Sequence, residues 1–186
     1  PGLHQLTPYF IQFVQEKVSS GLKGPLSTLN TMLAVLEALL ANPTIFVGPY
    51  IHQIVPAVLT VLVAKHITDG GYEVRSYAAS LLRKIVSDFG SEYTQLRPRL
   101  TRTLLKGFMD IHRPLESLCG IVQGVACLGP EVVLVIIVGN LDAWLGPVSA
   151  KGKEEPAAWN HLKEALANAL ALAPEAKDAI EQIMKA

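Results

Sequence analysis

The sequence predicts an all-α fold, a solenoid of stacked helix pairs, on three observations. One pattern recurs three times, as His4-Gln5-Leu6-Thr7-Pro8, His52-Gln53-Ile54-Val55-Pro56 and Thr94-Gln95-Leu96-Arg97-Pro98. Its prolines lie about 48 and then about 42 residues apart, close to the period of about 40–47 residues of helix-pair arrays. Apolar residues also recur at helical spacing through most of the chain, and no run alternates as a strand would between turn signals. Stacked pairs expose ridges and grooves rather than one catalytic pocket, so the pattern points to a scaffold.

The first helix spans about 3–19, with Leu3, Leu6, Phe10, Phe13 and Val14 on one stripe. Gly21, Gly24 and Pro25 break it, the proline suiting the first turn of the next helix. Residues 26–41 carry Leu26, Leu29, Met32, Leu33, Leu36, Leu39 and Leu40, and Asn42-Pro43 stops them. From Ile51 to Ile67 the chain is apolar almost all round, as in a helix enclosed on several sides. Asp69-Gly70-Gly71 is a turn. Val74, Tyr77, Ala78, Leu81, Leu82, Ile85, Val86 and Phe89 then form the clearest helical face, with Gly90 at the C-terminal cap position. A third pair covers 93–110 and 114–128, opened by Pro114 and stopped by Gly129-Pro130. A fourth covers 130–145 and 157–172, separated by a breaker-rich stretch, Gly146 to Pro156, that reads as a mobile linker between repeats. Pro174 starts a short last helix on Ile180, Ile183 and Met184.

Composition narrows the function classes. Half of the 186 residues are hydrophobic and 17% are charged, enough apolar surface for a large core and too little charge for a disordered tail. Sixteen basic and sixteen acidic residues cancel, so no global field favours nucleic acid or an anionic membrane. The most apolar run, Val132 to Val138, falls far short of the roughly 20 residues that cross a bilayer and reads as a fully buried helix. Cys119 and Cys127 share one helical stretch, too far apart to bridge within it, and read as buried free thiols of a reducing compartment. The chain opens on Pro1 with no initiator methionine and no cleavage-site pattern, as an excised domain would, so any targeting signal is expected outside it.

Glu73-Val74-Arg75-Ser76-Tyr77-Ala78-Ala79-Ser80-Leu81-Leu82 resembles the second helix of a HEAT repeat. Its Ala78-Ala79 pair allows close helix approach, and its arginine sits where the intra-repeat turn can be tied down. The array is thus read as four to five HEAT-like helix pairs, about nine helices, in one domain over 1–186. Arg99 to Asp110, followed by Pro114-Leu115 and Leu128-Gly129-Pro130-Glu131-Val132-Val133, narrows the likeness. So do Leu3 to Phe10 and Pro49 to Pro56. Together these segments, covering about 3–135, resemble the C-terminal HEAT domains of subunit 6 of the general transcription factor TFIID. The resemblance implies a nuclear, non-enzymatic scaffold of the RNA polymerase II machinery, supporting pre-initiation-complex assembly through other TFIID subunits. The family's N-terminal histone-fold region is expected to lie outside this sequence, and beyond about residue 140 the likeness fades.

Candidate sites follow from charge and aromatic placement. Arg99, Arg102 and Lys106 share one helix face, with Arg97 and Arg113 nearby and Asp110 as the one offset. This face suits an acidic partner segment or a DNA backbone; the plainer reading is a solvated face that bridges to the next repeat. Few aromatics interleave with it, which disfavours single-strand binding. Trp144 and Trp159 flank the 146–156 stretch that carries Lys151 and Lys153; both tryptophans are expected in the core, with the alternative that one lines a groove. His4 and His52 occupy equivalent repeat positions and read as structural, and no histidine–cysteine cluster suggests a metal. With no nucleophile elbow, P-loop or dinucleotide fingerprint, neither an enzyme nor a cofactor is expected. Other partners considered are a second copy of the chain and promoter DNA. A peptide-binding transport adaptor would favour a ladder of Asn and Trp on one inner face, which is missing.

Overall fold

The computed structural model describes residues 3–186, with side-chain environments from residue 5 onward. Leu3 and His4, assigned above to the first stripe and to a helix start, lie outside the described side chains. Ten α-helices and short 3-10 turns make up the described secondary structure, with no strand among these residues. Three regular pairs come first: α1 (Leu3–Gly21) with α2 (Leu26–Ala41), α3 (Ile51–Val63) with α4 (Tyr72–Phe89), and α5 (Leu96–Met109) with α6 (Leu115–Ala126). Then follow α7 (Pro130–Ile136), α8 (Leu141–Glu154), α9 (Pro156–Leu170) and α10 (Lys177–Lys185).

The second helices stack in sequence, α2 on α4, α4 on α6 and α6 on α9. The first helices do not repeat so regularly: α1 packs along α3, whereas α3 and α5 scarcely touch. Buried apolar residues run as one continuous cluster from Ile11 to Ile183. Side chains tie successive pairs together, with Gln15 Nε2 donating to Gln53 O at 2.6 Å and Tyr77 Oη to Glu37 Oε2 at 2.6 Å. Pro8 and Pro56 lie inside α1 and α3, while Pro98 sits in the first turn of α5, where a missing amide proton removes no ladder bond.

Three expectations are corrected. Among the described side chains of α1, Thr7, Ile11, Val14 and Val18 are buried, and Leu6, Tyr9, Phe10 and Phe13 face outward. The helix carries two apolar stripes that share Val14, and period alone does not say which one a neighbour covers. The run Val132–Val138 is not fully buried: Val133, Ile136 and Ile137 enter the core but Val135 is 69% exposed. Read across its break at Val138–Asn140, the stretch Pro130–Glu154 is long enough to span a membrane and contains an 18-residue window of mean hydropathy 1.8. Its Val133, Ile136, Leu141, Trp144 and Val148 are nevertheless turned into the core.

The third correction concerns Gly146–Pro156, which is helix α8 up to Glu154 rather than a mobile linker. Pro147 is accommodated inside the helix, and the chain bends only at Glu155 (φ −127°, ψ 66°). Gly152 is there for close approach: a Cβ would come within 2.5 Å of Trp159 Cγ. Residues that read as breakers here act through packing instead.

Candidate docking surface

Helix α5 has no acidic residue in its first turn, although Arg97 and Arg99 lie there. Cations at a helix N-terminus oppose its dipole, a penalty of about 0.3–1 kcal/mol each when uncompensated. Arg97 is compensated, its Nη1 donating to Leu128 O at 3.0 Å across the repeat. Arg99, Arg102 and Lys106 are exposed, and none of their charged heads is in a hydrogen bond or ion pair within the described structure. Neither α3 nor α5 contains an Asp or Glu. The spacing in the sequence therefore brings three of the five basic candidates together on an open face.

Arg113 departs from that group. It is half-buried, its Nη1 donating to Val63 O at 2.6 Å and to Ser117 Oγ at 3.1 Å, with Nε 3.5 Å from Asp110 Oδ2. It belongs to a set of side chains that satisfy carbonyls near the end of α3. Arg75, completely buried, is the other: Nη1 donates to Val61 O (3.1 Å) and Leu62 O (2.8 Å), Nη2 to Ala64 O (2.9 Å) and Nε to Gly70 O (3.0 Å). The last carbonyls of a helix lack intrahelical donors, and a cation there also suits the dipole. Burial pulls the Arg75 guanidinium down to about 10, still cationic at neutral pH. The arginine noted in the HEAT-like segment thus does tie down the intra-repeat turn, where Asp69, Gly70 and Gly71 take three successive positive φ values of 52°, 75° and 62°.

The same device recurs one repeat later. Trp144 Nε1 donates to Phe108 O at 2.8 Å, and the two rings stack at 4.6 Å. Lys151 Nζ donates to Ile111 O and to Arg113 O. Trp144 and Trp159 are 1% and 6% exposed, so both fill the core and neither lines an open groove. Lys153 is exposed on α8. Only Lys153 of the four residues assigned around 146–156 is free of an inter-repeat or core role.

Where α3 and α5 separate, a cleft of about 290 Å³ opens. Ile51, Val55, Leu96 and Leu100 form its buried floor; Pro56, Leu59 and Tyr93 wall it; His52, Gln95, Arg99 and Thr103 stand at the rim. Tyr93 is wedged over Gly48, where a Cβ would lie 2.9 Å from its hydroxyl. The cleft went unseen in the sequence because it arises from a helix–helix contact that is not made. The sequence signal that could have found it is the absence of carboxylates from two consecutive first helices.

The remaining reactive groups are two thiols and scattered histidines. Cys119 and Cys127 are free and buried. Burial pushes the Cys119 thiol up to about 12 and raises Cys127, whose Sγ donates to Ala79 O at 3.1 Å. His161 stacks on Tyr72 at 4.1 Å, and His52 is exposed at the cleft rim. Among the described residues no group of three or more His, Cys, Asp or Glu could hold a metal ion.

A stack of helix pairs with arginine-tied turns and open ridges is a HEAT-repeat α-solenoid. Comparison with known proteins gives the particular family. The family model described as the TAF6 C-terminal HEAT repeat domain matches residues 1–142, and the chain belongs to that family. It is 40% identical over 163 residues to the SAGA complex/transcription factor TFIID complex subunit Taf6 of Schizosaccharomyces pombe, covering 83% of this chain and 36% of that protein. It is 38% identical to transcription initiation factor TFIID subunit 6 of Arabidopsis thaliana, covering 77% of this chain and 27% of that protein. The chain therefore spans about a third or less of these relatives. Among solved structures, the TAF6 C-terminal domain from Antonospora locustae matches with a TM-score of 0.76 at 30% identity, over 89% of this chain and 81% of that one.

Proposed function

We propose that residues 1–186 act as one non-enzymatic scaffold in the nucleus, a docking platform within a TFIID- or SAGA-type complex that supports pre-initiation-complex assembly. The rigid stack holds the α5 face at a fixed place, and other subunits dock on it. One observation carries this reading: Arg99, Arg102 and Lys106 form an uncompensated basic face, with Arg99 on the wrong side of its own helix dipole. Local rules broken without a structural return mark functional surfaces. Family membership supplies the setting, because relatives carry the names of TFIID and SAGA subunits.

The test is affinity capture from nuclear extract with this chain as bait, beside the Arg99→Glu, Arg102→Glu, Lys106→Glu triple variant. The expected result is recovery of TFIID or SAGA subunits by the wild type and their loss with the folded triple variant. Equal recovery by both would remove the α5 face from the account. Recovery of promoter DNA without subunits would replace docking by DNA contact.

A further inference from the structure

We propose that the cleft between α3 and α5 receives a short acidic amphipathic segment of a partner protein, its apolar side chains seated in the cleft and its carboxylates on Arg99, Arg102 and Lys106. The proposal rests on the docking reading above and names the chemistry of what docks.

Charge complementarity selects this occupant. Both walls of the cleft lack any carboxylate, while α5 brings Arg99 to the rim itself and Arg102 and Lys106 one and two turns further along the helix. In a chain whose charges cancel, this is a local positive surface whose three charged heads pair with no carboxylate among the described residues. The floor, in contrast, is apolar, and at about 290 Å³ it holds one or two large side chains rather than a cofactor. A phosphate backbone would satisfy the rim and leave the floor empty; an uncharged apolar helix would fill the floor and leave the rim unanswered. An acidic segment with apolar anchors satisfies both, the groove mode by which amphipathic segments are recognised. The cleft also lies where close packing between first helices stops, since α1 closes on α3 and α5 does not. A partner side chain there would complete the layer.

The probe is a synthetic peptide of about 15 residues with Leu and Phe on one helical face and Glu flanking them, compared with a scrambled peptide of identical composition and a short DNA duplex. Binding is followed by fluorescence anisotropy and by methyl NMR of the 186-residue chain. The expected result is selective shifts of Val55, Leu59 and Leu100 methyls, with affinity falling roughly tenfold or more in the triple charge reversal. A similar loss is expected in Thr103→Trp, which fills the cleft from an exposed rim position. Equal binding of the scrambled peptide, unchanged affinity in Thr103→Trp, or displacement of the peptide by the duplex would overturn the proposal. So would dimerisation through the cleft that Thr103→Trp abolishes, since a second copy would then be the occupant. If Thr103→Trp still captures TFIID or SAGA subunits while the triple variant does not, the scaffold stands and the cleft falls.

Discussion

Helices α5 and α6 belong to one repeat, yet they meet α3 in opposite ways. On the α6 side the contact is sealed: Arg113 and Ser117 reach Val63 O, and Gly120 lets α6 come so near that a Cβ would lie 2.2 Å from Leu62 O. On the α5 side the helices part, leaving a cleft under exposed arginines. The difference teaches how a solenoid divides its labour. Tight joints on the α6 side allow the α5 side to remain open without loosening the stack, so charge and apolar surface there stay exposed.

The comparison can be broken from the sealed side first. Arg75→Ala would leave four carbonyls without their donor, two of them in buried hydrogen bonds and two in part-buried ones, and a loss of about 3–5 kcal/mol is expected in urea unfolding. Gly120→Ala would push a methyl into the Leu62 carbonyl, which as backbone cannot step aside; about 1–3 kcal/mol should be lost, visible as a lower melting temperature. Trp144→Phe keeps the ring stack on Phe108 and deletes one buried donor, for an expected loss of about 1–3 kcal/mol.

A pH series sharpens the same point. Cys119 titrates at about 12 in the folded chain against an ordinary 9.0, and Tyr72 and Tyr77 at about 12 against 10.0, in each case with burial as the main cause. The unfolded chain loses these protons first, so their contribution is intact below pH 9 and is lost as pH climbs from 9 toward 12. Arg75 acts in the opposite sense, since its folded value of about 10 lies below 12.5 and the unfolded chain keeps that proton longer. Three acids outweigh one base, and urea midpoints should hold steady up to pH 9 and then decline.

Much of this was legible in the sequence, and the failures have a common physical form. The α4 face from Val74 to Phe89 could be read from local spacing, and the turn-tying role of Arg75 from the likeness of its segment to a HEAT repeat. Family likeness over about 3–135 agrees with the matched region, 1–142. Which stripe of α1 is covered was not legible, because Leu6–Phe10–Phe13 and Ile11–Val14–Val18 are equally good helical patterns until a neighbour chooses. Gly146–Pro156 read as a loop because it is rich in glycine and proline, whereas Gly152 marks a crossing point with Trp159, which only packing reveals. Arg113 and Lys151 read as surface charge although both satisfy carbonyls of adjoining segments. At the candidate site the basic stripe of α5 was visible and the cleft beside it was not, since a missing helix contact leaves no local trace.

Equilibrium urea unfolding of Arg75→Ala beside the Arg99→Glu, Arg102→Glu, Lys106→Glu triple variant is the most direct test. The account predicts a large loss for the single substitution at the sealed joint. For the three reversals on the open face it predicts a change within about 0.5 kcal/mol per site. A triple variant destabilised as strongly as Arg75→Ala would contradict it, because the α5 face would then be holding the stack together rather than standing ready for a partner.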